Sequence, residues 1–198
     1  MNNLIREIIE RIALVQTPHN VFYCEATLKF ELALEIYKKI NIAVTLERKI
    51  PNRREYLDIY FEHNAVKYGI ELKYKTKSCR VGRFEYENQG AHTAAKYDFL
   101  KDIMRLERDK KEGIIDHGIA LFVTNDTSYL YPSERGDAAL LSIANERTIG
   151  GCLRPQGKTR PDPLIFSSQY KIIWNPQPQQ AQTPIEGSEQ FYCLMLEI

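Results

Sequence analysis

The chain has 198 residues, 43% of them hydrophobic, which suits one domain over residues 1–198 with a single core; a chain of this size buries roughly 70% of the surface its unfolded form exposes. A net charge of +1 excludes polyanion binding by bulk charge, so any nucleic-acid contact must come from a local patch. Cys24, Cys79, Cys152 and Cys193 form no C-x-x-C pair and read as free thiols in a reducing compartment, which argues against a structural zinc site.

The opening stretch MNNLIREIIERIALVQ spaces Leu4, Ile5, Ile8, Ile9, Ile12 and Val15 between charges, so residues 2–16 read as an amphipathic helix and lack the apolar core of a signal peptide. With no run as long as a membrane span, a soluble cytoplasmic protein without a membrane partner is expected. A second helix is predicted from Cys24 or Glu25 to Ile40, with Phe30, Ala33, Leu34, Tyr37 and Ile40 as its core stripe. Ile42 to Arg48 alternates as a strand, and Pro51-Asn52-Arg53 breaks it.

Tyr56 to Lys77 then reads as two strands around a break at His63-Asn64-Ala65. A two-residue Asn64-Ala65 loop pairs 63 with 66 and places Asp58 directly opposite Glu71. By alternation Leu57, Ile59 and Phe61 share an apolar face with Tyr68, Ile70, Leu72 and Tyr74, while Asp58, Tyr60, Glu71, Lys73 and Lys75 share the other. Two carboxylates facing each other across a hairpin repel. Either this is an ordinary solvated face, or a divalent cation lies between the acids with an ammonium beside them.

A basic link follows from Lys75 to Arg83, then a long helix from about Glu87 to Lys111 with a stripe of Ala91, Ala94 or Ala95, Phe99, Ile103 and Leu106, ended by Gly113. Ile119 to Thr124 is apolar on both faces, as in a sheet interior, and the long helix before it suits a crossover. Beyond that a helix is expected from Glu134 to Glu146 and a basic loop from Thr148 to Pro163. A strand from Tyr170 to Trp174, a mobile Pro- and Gln-rich connection from Asn175 to Ser188, and a last strand from Phe191 to Leu196 complete the chain.

Asp58, twelve intervening residues and then Glu71-Leu72-Lys73 on adjacent strands resemble the signature of the PD-(D/E)xK nuclease superfamily, with Leu57 where the family has proline. Segments ELKYKT and YDFLKDI-RLE are also similar to uncharacterised bacterial proteins, some of them restriction-related, over roughly residues 24–126. The resemblance implies an α/β, restriction endonuclease-like mixed central sheet, with an antiparallel catalytic hairpin flanked by helices. Its core would span about residues 20–126, with 127–198 adding to the sheet and to surface loops. It implies a Mg²⁺-dependent nuclease, most simply a DNA endonuclease, with Mn²⁺ as a substitute metal. Residue by residue, Asp58, Glu71 and the Leu72 carbonyl would hold the metal, and Lys73 would orient the attacking water and offset phosphate charge. Relatives add a helix-borne glutamate, here Glu25 or Glu31, of which Glu25 is preferred because it starts its helix. Gln89 and Tyr97 stand where some relatives place accessory residues on the next helix.

Lys75, Lys77, Arg80 and Arg83 would grip phosphates, joined by Arg147, Arg154, Lys158 and Arg160 unless these are merely solvated. Asp98, Asp102 and Arg105 are read equally well as helix-surface partners. His19, His63, His92 and His117 lack zinc-ligand spacing, and no nucleotide-binding glycine motif is present. The rival function is a nuclease-like fold that binds nucleic acid or a partner protein without catalysis; a homodimer or a larger defence or repair complex is left open.

Overall fold

Helical and strand-like periodicities alternate down the chain, and the computed structural model, which describes residues 3–14, 22–81, 84–158, 160–176 and 191–198, folds them into a mixed α/β arrangement. Among the described residues there are four α-helices and a six-stranded mixed sheet. In chain order the first elements are α1 (Asn3–Leu14), α2 (Glu25–Ile40), β1 (Val44–Lys49), β2 (Tyr56–His63), β3 (Val66–Lys75), β4 (Cys79–Val81) and β5 (Phe84–Tyr86). They are followed by α3 (His92–Lys111), β6 (His117–Thr124) and α4 (Gly136–Leu140). The last are β7 (Thr148–Ile149), β8 (Cys152–Leu153), β9 (Leu164–Ile165), β10 (Tyr170–Lys171), β11 (Trp174–Pro176) and β12 (Tyr192–Glu197). No described helix is long and apolar enough to cross a membrane.

The large sheet runs β1-β2-β3-β6-β12-β11. Only β3 and β6 pair in parallel, because the chain must cross over through α3 to return in the same direction. All other pairings in this sheet are antiparallel. The β2–β3 loop is the expected two-residue turn, with Asn64 and Ala65 both at positive φ (52° and 60°) and His63 paired to Val66. This left-handed pair matches the twist of the strands it joins.

Two apolar layers cover the sheet. On one side Leu28, Leu32 and Ile36 of α2, with Ile5, Ile8 and Ile9 of α1, pack against Ile59, Phe61, Ile70, Leu72, Tyr74 and Leu121. On the other, Ala95, Phe99, Leu100, Ile103 and Leu106 of α3 pack against Leu57, Tyr60, Ala120, Phe122 and Leu194. The two-sided burial expected for the strand at 119–124 is present, and the strand starts earlier, at His117.

Several boundaries and faces differ from the expectation. The core row of α2 is Leu28, Leu32, Ala33 and Ile36, whereas Phe30 and Tyr37 are 55% and 52% exposed. Helix α2 carries apolar residues on two sides, and periodicity alone does not choose between them. The long helix begins at His92 rather than near Glu87: Ala91 caps it in the left-handed region (φ 62°) and is exposed, while the Gln89 N–H donates to the Thr76 carbonyl. The helix expected over 134–146 shrinks to α4, because Arg147 reaches back to the Ala139 and Leu140 carbonyls and Leu141–Ala144 are buried without helical structure.

The loop expected over 148–163 contains β7 and β8, which pair with β10 and β9. The strand expected over 170–174 splits into β10 and β11, so Asn175 and Pro176 belong to a strand; the rest of the expected mobile connection lies outside the described residues. Leu57 also leaves its expected face for the α3 side, although Ile59 and Phe61 keep theirs. The switch occurs at Asp58, where β1 carries Glu47 at φ 50° between the Leu46–Ile59 and Arg48–Leu57 pairs.

Close packing around the parallel pair sets a stability test. A Cβ on Gly118 would stand 3.0 Å from the Cβ atoms of both Leu106 and Ile198, positions tied to α3 and to the chain beside β12. Gly118→Ala is expected to destabilise the fold by about 1–3 kcal/mol through overpacking, read as a lowered urea midpoint with an unchanged m-value.

Candidate active site at the open edge of the central hairpin

The β2–β3 ladder runs from His63–Val66 to Ile59–Ile70 and stops there. Asp58 therefore does not face Glu71 as a ladder pair, which corrects the expected geometry. Instead Asp58 Oδ2 accepts a hydrogen bond from the Leu72 N–H at 2.9 Å, taking the place of a strand partner. One step along the same edge, Glu25 Oε2 accepts from the Tyr74 N–H at 3.0 Å. Two carboxylates thus satisfy the alternate N–H groups that β2 leaves open. A strand residue points its N–H and C=O to the same edge, so the Leu72 carbonyl lies on this edge too.

Glu25 reaches the strand because it opens α2, and the Tyr74 hydroxyl donates to the Phe22 carbonyl (2.7 Å), tying the segment before α2 to β3. Glu31 lies about a third of a turn round the helix from Glu25, and among the described residues it is Glu25 that bonds the strand edge. Glu71 and Lys73 alternate out of β3 toward α3. Lys73 Nζ stands 2.8 Å from Asp102 Oδ2, and Arg105 Nη2 stands 3.0 Å from Glu71 Oε1. Arg105 also contacts Asp102 at 3.0 Å and donates to the Tyr56 carbonyl at 2.7 Å. From the α2 side Lys29 meets Asp58 at 2.6 Å and also pairs with Glu47.

Asp102 and Arg105, for which the sequence leaves helix-surface partner and functional group equally open, are turned into the site, with Asp102 only 5% exposed. Their i, i+3 spacing was visible in the sequence; that this side of α3 would cover Glu71 and Lys73 was not. Asp98 is the true outer partner and is clasped by Arg160 at 2.8 and 2.9 Å.

The electrostatics follow from burial. Burial pushes the Glu71 carboxyl well above its ordinary range, and the charges of Asp102 and Asp58 push the same way against Arg105 and Lys73. Burial also raises Asp102, opposed mainly by Lys73. Burial alone would lower Lys73, but Asp102, Glu25 and Asp58 outweigh it and raise its pKa, so Lys73 stays an ammonium throughout the neutral range. Among the described residues Glu71 Oε1 receives no hydrogen bond, since Arg105 stands close but off the hydrogen-bond line.

The accessory residues lie elsewhere. Gln89 is exposed and precedes α3, and the Tyr97 hydroxyl donates to the Asp162 carbonyl at 3.2 Å. Neither is brought to the carboxylates. Lys75 ends β3 half-buried, and Lys77 is exposed with its backbone clamped by the Asn125 amide (2.7 and 3.1 Å). Arg80 is exposed and lies 3.9 Å from Glu85 across the β4–β5 ladder; Arg83 lies outside the described residues. Arg154 and Lys158 are exposed, whereas Arg147 and Arg160 are held by the contacts given above.

No group of three or more His, Cys, Asp or Glu side chains among the described residues is gathered to hold a metal ion. The expected metal acids Asp58, Glu71 and Glu25 are therefore not gathered as one group: Asp58 and Glu25 lie on the β3 edge and Glu71 lies against α3, although all are oxygen donors of the kind a hard divalent cation takes and Glu71 Oε1 lacks a hydrogen bond. Comparison of the chain with family models, curated proteins and solved structures yields no match.

The raised Glu71 pKa has a definite consequence for stability. The unfolded chain releases this proton at lower pH than the folded one, so the contribution of Glu71 to stability falls as pH rises from the ordinary glutamate range through the folded pKa. Glu71→Gln is therefore expected to be more stable than the wild type at neutral pH in EDTA, with the gap closing in acid. Urea midpoints across a pH series measure this; a gap that widens toward acid would contradict the assignment.

Proposed function

We propose that the chain is a metal-dependent phosphodiesterase of nucleic acid, most simply a DNA endonuclease with a restriction endonuclease-like arrangement of hairpin and helices. What supports this reading is the break in the β2–β3 ladder. It collects Asp58 and Glu25 on the edge occupied by Leu72, while Glu71 and Lys73 leave the same strand on either side of that residue. A structural hairpin has no need to stop pairing just where its acids accumulate.

Mg²⁺, or Mn²⁺ in its place, would be held by Asp58, Glu71 and the Leu72 carbonyl, with Glu25 adjacent. When bound it supplies Lewis acidity for attack of water on phosphorus. Lys73 remains cationic, so its part is to hold a phosphate oxygen or the attacking water and offset developing negative charge, rather than to remove a proton. Asp102 is the positioning residue: it fixes the Lys73 ammonium on the α3 side. Lys75, Lys77 and Arg80 follow on the same stretch of chain and suit phosphate contacts that do not read sequence.

One observation favours the rival reading. Lys29 and Arg105 already neutralise Asp58 and Glu71, as they would in a binding module that never takes up a metal.

Cleavage of supercoiled plasmid with Mg²⁺ or Mn²⁺ tests the proposal. Asp58→Ala and Lys73→Ala are each expected to reduce the rate on the order of 100- to 1000-fold, with circular dichroism unchanged. Equal cleavage by these folded variants would refute the site. Titration calorimetry separates the rival: a binding module shows no Mg²⁺ site lost in Asp58→Ala.

A further inference from the structure

Helix α2 carries two apolar rows that point in different directions. Leu28, Leu32 and Ile36 face the sheet, and on that same side Glu25 and Lys29 reach β3 and Asp58. The second row is Phe30, Leu34 and Tyr37, at i, i+4 and i+7; both aromatic rings are exposed and Leu34 is half-buried. Two large exposed aromatic side chains flanking a leucine on one helix face mark an interaction surface rather than scattered surface residues.

We infer that this face binds a second copy of the chain, α2 against α2, antiparallel about a two-fold axis beside Leu34. The charge pattern selects this occupant. The acidic residues of the helix (Glu25, Glu31 and Glu35) lie within its first eleven residues, where the single lysine, Lys29, is turned to Asp58, and its C-terminal turn carries Lys38 and Lys39. Glu31 and Lys38 are seven residues apart and therefore sit on the same flank of the exposed row.

A two-fold axis perpendicular to the helix keeps like flanks on the same side while reversing direction. Glu31 then meets the partner's Lys38, and the pair occurs twice. The same operation lays Phe30 beside the partner's Tyr37 and Leu34 on its own copy, and both cross pairs centre within about half a residue of Leu34. A parallel pairing, with its two-fold along the helix, would put the two Glu31–Lys38 flanks on opposite sides of the seam and leave these charges without that pair. Within one chain Lys38 contacts Glu35 at 3.2 Å, an exposed i, i+3 pair that holds the ammonium near this flank. One helix per subunit lies at the small end of specific interfaces, so the dimer is expected to dissociate on dilution.

This association does not depend on the nuclease reading, because the row used lies away from Glu25 and Lys29. Sedimentation velocity of the full chain over a wide concentration range is the test, and a monomer–dimer equilibrium is expected. Leu34→Glu should weaken it by about a hundredfold or more, since two carboxylates then meet on the axis. Glu31→Lys and Lys38→Glu should each weaken it by about tenfold. Mixing these two single variants should restore a heterodimer of near wild-type affinity, because each supplies the charge the other now needs. That exchange uses surface charges only and decides the matter even if Leu34→Glu fails to fold. A wild type that stays monomeric throughout, a dimer indifferent to these changes, or a mixture that recovers nothing would each overturn the inference.

Discussion

The unfinished edge of β3 is the constraint on which the rest of the site depends. Buried strand N–H groups must be bonded, and beyond Ile59–Ile70 strand β2 no longer serves β3. Carboxylates from two different elements take over, Asp58 at Leu72 and Glu25 at Tyr74. An acid used as a backbone acceptor stays ionised at lowest cost when a cation is near. Lys29 from α2 meets Asp58, and on the α3 side Lys73 and Arg105 meet Asp102 and Glu71. The positions of α2 and α3 relative to the hairpin are thus written in ion pairs as much as in the two apolar layers.

Such a cluster is a poor device for stability. Removing charges from water costs several kcal/mol per ion, and mutual attraction repays it only when the geometry is good. Here it is incomplete: Glu71 Oε1 has an ion contact without a hydrogen bond among the described residues, and Glu71 is pushed toward its neutral form. An apolar layer would fill the same space at less cost. Under the proposed function, this under-satisfied arrangement beside the open strand edge would be completed by a cation and an anionic substrate.

Helix α2 joins this constraint to the surface. Its aliphatic row and Glu25 are committed to the sheet and to β3, which leaves Phe30 and Tyr37 outward. The choice of row was not local. Either row satisfies helical periodicity, but only one rotation of the helix brings Glu25 to the Tyr74 N–H while Leu28, Leu32 and Ile36 cover Ile70 and Leu72. The hydrogen bond and the burial act together to set that rotation.

By itself the sequence determined the order of the first two helices, the central strands β1, β2, β3 and β6 and the long helix between the last two, the Asn64-Ala65 turn with its register, and the placing of Glu71 and Lys73 on one face. Each follows from alternation, helical spacing or turn chemistry acting over a few residues. Tertiary structure decided that Asp58 leaves the ladder for the Leu72 N–H, that Leu57 changes sides, and that Glu25 rather than Glu31 comes to the edge. It also decided that Asp102 and Arg105 turn inward. For Asp58, Glu25, Asp102 and Arg105 the physical reason is shared: each is settled by a partner more than ten residues away in the chain, an unbonded N–H or an opposite charge, whereas Leu57 follows the irregularity at Glu47 in the neighbouring strand, and no local period carries that information.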